Sequence, residues 1–362
     1  MASNKNQHFV PRCYLRPFTV DGADAAINLY NIDRQKLIRM APVKSQCSGD
    51  YFYGKDDQLE RAIQHLEGEY ARGLRAIMEP GYGLTEQHRH LLRLFWLFQH
   101  LRTEAASRRA IEMNEGLRKT AGVKDDSFRL EIREAVQIAM RNFAEEMDIV
   151  SDLKVCLVRN KTKVPFVTSD DPAILTNRWY MQSPKARGMS FGIGSAGVIL
   201  ILPLSPTVLC LGYDGDVYSI PHKNGWVDIR QQAEAEALNQ HQFLNCRANI
   251  FVKDANHAQL VHDSFVKAAP LRPAQSHRTH YAVPDRTEGA YTRYVVVDPA
   301  NAKDHEEALI HTQAVHPIPF AWPHLLTWRN KGAVFSNGTG VGYVRRNRSL
   351  RSAEPAFWRE NA

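Results

Sequence analysis

The period of the apolar positions changes along the chain and divides it into an extended N-terminal stretch, a helical middle and a strand-rich second half. Phe9 to Pro11 and Ile27 to Tyr30 have the character of short strands, separated by the turn-prone pair Asp21-Gly22. From Asp57 the period becomes helical. Leu59, Ile63, Leu66, Tyr70, Leu74 and Ile77 fall on one stripe, and Pro80-Gly81 ends the run. A second helix opens at Thr85, a predicted N-cap. Leu91, Leu92, Leu94, Phe95, Leu97, Phe98 and Leu101 make it apolar around most of its circumference, so it is expected to be buried and central. A third helix is predicted over Ser127 to Asp152, after a polar loop from Thr120 to Asp126.

The second half alternates strands and turns. Lys154 to Arg159, Pro165 to Ser169, Val198 to Pro203, Val208 to Tyr213 and Val217 to Ile220 predict strands, and Asp214-Gly215-Asp216 predicts a turn. A helix over Asp228 to Asn245, a strand over Asn249 to Lys253 and a short helix near Ala258 to Lys267 follow. Beyond these, Tyr294 to Val297 predicts a strand and the prolines of His316 to Pro323 impose extended backbone. Strands and helices without strict alternation predict an α+β fold: short N-terminal strands and three helices packed on a mixed, largely antiparallel sheet. Two parts are expected, a domain over residues 1–255 and a C-terminal extension over 256–362.

Composition narrows the function classes. Apolar residues make up 44% and charged residues 23%, as in ordinary globular chains. The longest strongly apolar run, Gly197 to Leu204, is far shorter than the roughly 20 residues that span a bilayer. Met1 to Gln7 is polar and has no signal-peptide core, so a cytoplasmic location is expected. The five cysteines form no C-x-x-C pair and predict neither a zinc knuckle nor a disulfide framework; Cys156 and Cys210 read as small buried hydrophobes. A net charge of +7 points towards an anionic partner, although Arg345, Arg346, Arg348 and Arg351 account for part of it as a predicted solvated tail.

Several motif-like patterns carry little. Gly192-Ile193-Gly194-Ser195-Ala196-Gly197 has dinucleotide-binding spacing but precedes a strand, and reads as a loop. Arg93 and His100 match a common R-x6-H spacing, and Asp152-x-Lys154 lacks the preceding acid of a nuclease motif. His277-x-x-His280 sits in a predicted polar loop, and Asp304-His305-Glu306-Glu307 reads as a solvated face.

Three polar clusters resist a purely structural reading: Gln7-His8-Phe9-Val10-Pro11 with Tyr14, Leu15 and Phe18; Gln99 with Arg102-Thr103; and Phe166-Val167-Thr168-Ser169-Asp170-Asp171-Pro172. Together with Glu60, Glu67 and Pro203-Leu204-Ser205, in this order, they resemble the bacterial family called domain of unknown function 4238, over about residues 6 to 255. Asp171 stands where that family often has Asn, so Asp170 is the better match. The resemblance implies no activity.

The residues themselves suggest more. Leu92, Phe95, Gln99 and Arg102 share one helical stripe, and an arginine among core aromatics needs a carboxylate partner. Glu67 and Asp170 are the candidates. His8, Glu67, Gln99, Arg102 and Asp170 are therefore expected to converge on one cleft. There His8 would move a proton and Arg102 would stabilise anionic charge. Asp170 would orient His8 or, with Asp171, hold a divalent metal. Such a site suits hydrolysis or transfer on a nucleic acid or nucleotide, in the manner of a hydrolase or nuclease, as in a bacterial defence or toxin-like effector. The alternative is a non-catalytic interaction module whose polar residues are a buried scaffold.

Overall fold

The computed structural model describes residues 5–22, 24–289, 291–301, 307–351 and 356–362. Asp304, His305 and Glu306 of the acidic run lie outside them. In chain order the first elements are β1 (Asn6–His8), α1 (Arg12–Leu15), β2 (Ala26–Asn31), β3 (Lys36–Pro42) and β4 (Ser48–Asp50). Four helices follow: α2 (Asp57–Met78), α3 (Glu86–Arg102), α4 (Glu104–Thr120) and α5 (Ile132–Glu145). Next come β5 (Lys154–Asn160), β6 (Thr168–Ser169), β7 (Ile174–Thr176), α6 (Arg178–Gln182), β8 (Ile199–Ser205), β9 (Val208–Tyr213) and β10 (Tyr218–Ser219). Then β11 (Trp226–Ile229), α7 (Gln232–Asn245) and β12 (Asn249–Val252) complete the expected first part, and α8 (Ala258–Ala268) follows beyond it. The C-terminal segment adds β13 (His277–Glu288), β14 (Tyr291–Val297), β15 (Leu309–Ala314), β16 (Thr327–Trp328), β17 (Ala333–Ser336), β18 (Tyr343–Val344), α9 (Arg346–Arg351) and β19 (Trp358–Asn361).

The fold is α+β, with mixed and largely antiparallel sheets. A five-stranded sheet runs β11-β5-β9-β8-β7, antiparallel except for the β11–β5 pair. A four-stranded antiparallel sheet runs β3-β2-β12-β6. Neighbouring residues of β8 serve two cores: Leu200, Leu202 and Leu204 pack with Phe95 and Trp96 of α3, while Ile199 and Ile201 pack with Trp179, Tyr218, Leu325, Leu326 and Val334. The period of 2 along a strand sends alternate side chains to opposite faces, and both faces here are covered. That is why the run reads as continuously apolar. The C-terminal segment thus supplies part of the cover on the face opposite α3.

Helix boundaries follow local chemistry. Asp56 accepts hydrogen bonds from the N–H groups of Gln58 and Leu59 at the start of α2, and Thr85 Oγ1 accepts from His88 N at 3.2 Å at the start of α3. Tyr70 of α2 stacks on Phe95 of α3 with ring centroids 3.5 Å apart. No helix among the described residues is long and apolar enough to cross a membrane.

Several sequence expectations need correction. The helical segment before the polar loop is two helices, because Thr103 leaves helical geometry and caps α4 through Ala106 N. The third expected helix shrinks to Ile132–Glu145, followed by a short 3-10 turn over Met147–Val150. His277 and His280 lie in a twelve-residue strand, paired with Ala314 and His311, rather than in a loop. The basic tail is not simply solvated. Arg345 is buried, its Nε 3.0 Å from Asp152 Oδ2, and its other nitrogens donate to the Ile193 and Ile149 carbonyls. Arg346 pairs with Asp216 at 3.0 Å.

Candidate functional site

The N-terminal strand is held in place by its own motif. β1 pairs with β4, Gln7 opposite Gly49 and His8 opposite Ser48. The Gln7 side chain donates to Gly54 O at 3.1 Å and accepts from Tyr53 N at 2.7 Å. One residue beyond His8, the Phe9 carbonyl accepts from Gln99 Nε2 at 2.8 Å. Pro11, whose fixed φ suits an extended residue at a helix start, then precedes α1. Tyr14, on α1, shares a 2.7 Å hydrogen bond with Thr168 Oγ1, tying this segment to β6.

Arg102 ends α3 and is wholly buried. Its Nη1 donates to Glu67 Oε1 at 2.7 Å, its Nε to the Tyr53 hydroxyl at 2.6 Å and its Nη2 to the His8 carbonyl at 2.6 Å. The guanidinium also lies 4.3 Å from the centroid of the Phe98 ring. Burial pulls the Arg102 pKa down, but Tyr53 and Glu67 outweigh it and hold the group above its ordinary value. Burial also pushes the Tyr53 hydroxyl up to about 12, against the Arg102 charge, so it stays protonated. The expected carboxylate partner is Glu67. Each of the three nitrogens has a near neighbour, so this arginine braces the site from below.

Above this brace lies a cleft of about 340 Å³, lined among others by His8, Arg12, Cys13, Glu60, Glu67 and Arg102. His8 is half-buried, and its Nε2 is hidden from solvent without a hydrogen-bond partner. Burial and then the Arg12 charge push its pKa below the ordinary value; the Val43 carbonyl and Glu67 act the other way. The ring is therefore neutral at pH 7. Arg12 stands exposed at the edge of this cleft. Burial and then Glu67 push the Cys13 thiol up to about 12, so it is no ready nucleophile. His8, Glu67 and Arg102 are brought together.

Gln99 and Asp170 do not join them. Gln99 is sealed in the core below Phe9. Asp170 accepts from the backbone N–H groups of Arg247, Ala248 and Asn249 at 2.8 to 2.9 Å, and lines a separate cleft with Phe9, Ser48 and Arg247. Burial raises its pKa to about 6 against those donors. Its expected role of orienting His8 is replaced by ordering the turn into β12. Asp171, expected to share a metal with Asp170, accepts from Thr103 Oγ1 at 2.8 Å and pairs with Arg109 at 2.5 Å. Among the described residues no group of three or more His, Cys, Asp or Glu is arranged to hold a metal ion.

A family model described as "Protein of unknown function (DUF4238)" matches residues 6–256, over two thirds of the chain. The chain belongs to the DUF4238 family. The comparison with curated proteins and the comparison with solved structures each find no match. The matched span holds the whole His8 cleft, from β1 to Arg102. Sequence reasoning missed Arg12, Cys13 and Glu60 as members of the cleft. Arg12 and Cys13 occupy the two positions that the DUF4238 pattern leaves open between Pro11 and Tyr14, so only the turn of α1 reveals them.

Proposed function

We propose that the His8 cleft carries proton-transfer chemistry on a phosphate-bearing substrate, a nucleotide or a nucleic-acid end. The observation that carries this reading is the sheltered, unpartnered His8 Nε2 at a cleft that also holds an exposed arginine and a carboxylate. An unsatisfied buried polar atom costs about 1–3 kcal/mol, and a ligand that supplies its partner recovers that cost. A volume near 340 Å³ suits a small molecule better than a duplex. In a hydrolysis, neutral His8 takes a proton from water as the water oxygen bonds to phosphorus or to the ribosyl carbon. The leaving oxygen or nitrogen departs with its bonding electrons and receives the proton back from His8. Arg12 pairs with substrate anionic charge. Glu67, fixed through one oxygen by Arg102, keeps the other for a substrate hydroxyl.

The test is a product screen by chromatography over nucleoside mono-, di- and triphosphates and short RNA and DNA, with and without Mg²⁺, using wild type, His8→Ala and Arg12→Gln. Turnover that His8→Ala abolishes at unchanged melting temperature supports the reading. As a base, His8 should give a rate that rises with pH through a midpoint below 6.5. Absence of any turnover, or turnover that His8→Ala leaves intact, overturns it.

One observation favours the second reading, a non-catalytic binding module. Gln99, Arg102 and Asp170 all have scaffold partners. That reading predicts ligand binding at the cleft without product.

A further inference from the structure

A second depression, of about 270 Å³, is lined by Arg108, Arg109, Arg247 and Arg272. We propose that it is a phosphate-binding site and that it takes the backbone phosphates of a single nucleic-acid strand. It shares the nucleic-acid half of the reading above and rests on that half, but not on any chemistry at His8.

The charges carry the argument. Glu104 Oε1 is claimed twice, by Arg108 Nε and Nη2 at 2.8 Å each and by Arg247 Nη2 at 3.5 Å. Arg109 spends Nη1 on Asp171. Arg272 donates to the Phe243 and Cys246 carbonyls at 2.6 Å, and among the described residues no carboxylate lies within ion-pair distance of it. Glu112, the carboxylate lining the depression, is committed to Ser276 through its N–H and hydroxyl, both at 2.7 Å. Four guanidiniums thus face Glu104, which serves two of them, Asp171 and Glu112, while Asp170 lies in the adjoining cleft on the backbone N–H of Arg247. Held on fixed partners, these planar guanidiniums keep further N–H groups for an acceptor that offers two oxygens, such as phosphate. The side chains of Arg108, Arg109 and Arg247 are between a third and a half exposed, within reach of a ligand.

Position favours a strand over an isolated phosphate. Ala105 and Arg247 also line the adjoining cleft, which reaches Phe9 and Ser48. Ser48 is the partner of His8 in the β1–β4 register. A strand with phosphates at Arg272 and Arg247 would extend along this cleft, past Glu104 and Asp170, towards the strand that bears His8.

Fluorescence anisotropy of a labelled single-stranded 12-mer, DNA and RNA in turn, measures this without turnover. Calorimetry with inorganic pyrophosphate forms the second arm. Arg108→Gln with Arg247→Gln removes two exposed charges and leaves the Arg109–Asp171 pair in place. The 12-mer should bind the double variant roughly 10-fold or more weakly, with a logarithmic salt slope smaller by about 1 to 2. A control, Lys124→Gln with Arg141→Gln, removes the same charge from exposed positions elsewhere and should weaken binding much less. Melting temperatures confirm that each variant is folded. Wild-type binding by the double variant, equal weakening by the control, or no 12-mer binding overturns the proposal. Pyrophosphate binding without 12-mer binding assigns the depression to free phosphate and overturns the strand. Failure here with His8-dependent turnover on mononucleotides removes this site alone, whereas loss of all turnover with strand binding intact removes the His8 reading alone.

Discussion

Replacing Arg102 by alanine tests whether the polar motif is a brace or a reaction centre. The side chain is fully buried and makes three hydrogen bonds of 2.6 to 2.7 Å, one of them to a carboxylate. Breaking a buried ion pair costs about 3–5 kcal/mol, chiefly because one charge is left uncompensated. Here the cost belongs near the lower end. Glu67 is about a quarter exposed and can rehydrate, and the two other orphaned groups, the Tyr53 hydroxyl and the His8 carbonyl, already lie 3.2 Å apart and keep each other. A loss of about 3 kcal/mol is expected. At roughly 2 °C per kcal/mol for a chain of this size, the melting temperature should fall by about 6 °C. Arg102→Lys retains a charge but not the three-way fork, and should lose about half as much.

Urea and thermal unfolding of wild type, Arg102→Ala, Glu67→Gln and the double variant measure the effect. The double variant should be less destabilised than the sum of the single ones, because both single changes break the same pair. Additive losses, or a melting temperature within a degree of wild type for Arg102→Ala, would refute the brace. So would lost ligand binding at full stability, since that result would put Arg102 in contact with the ligand.

Two further outcomes follow from the same structure. Burial lowers His241 to about 3 and His316 to about 4, so both stay neutral when folded but protonate near 6.5 when unfolded; stability should therefore fall as the pH drops below 6.5. By pH 5 each costs about 2 kcal/mol, at about 1.4 kcal/mol per pH unit, and His241→Leu should shrink the difference between urea midpoints at pH 7 and pH 5 by one such share; an unchanged difference rules the account out. Deleting residues 1–12 removes β1 together with the acceptor of Gln99 and one of the three acceptors of Arg102, so the product should melt at least 10 °C lower or fail to fold by circular dichroism; wild-type melting would show that the N-terminal strand anchors nothing.

What the sequence made legible was local. The α3 stripe, its Thr85 cap and the need of Arg102 for a carboxylate follow from spacing within one helix. The choice between Glu67 and Asp170 does not, because it depends on how α2 packs on α3 and on a turn that spends Asp170 on residues 247–249. The C-terminal segment was least legible. β13 is polar on both faces, and its contact with α4 depends on Thr279 fitting against Gly116, where a Cβ would come within 2.5 Å of the hydroxyl. Arg345 looked like tail charge because Asp152, its partner, lies almost two hundred residues earlier. β11 was absorbed into the helix expected from Asp228, since nothing local marks a strand whose partner is the parallel β5.

A motif marks both scaffold and site, and unspent bonding capacity separates them. Gln7, Tyr14, Arg102 and Asp170 each have named partners in the chain, so the fold alone accounts for their chemistry. Gln99 Oε1 and His241 Nε2 also lack partners, but both residues are sealed in the core, where a ligand cannot reach them. His8 differs in having its backbone carbonyl held by Arg102 and Tyr53 while its ring Nε2 has no partner and the residue lines an open cleft. Fixing a backbone this firmly while leaving the side chain unsatisfied costs stability that scaffolding does not require. The sequence marks Gln7 and His8 as equals; the structure gives Gln7 a structural job and leaves His8 Nε2 without a partner in the chain.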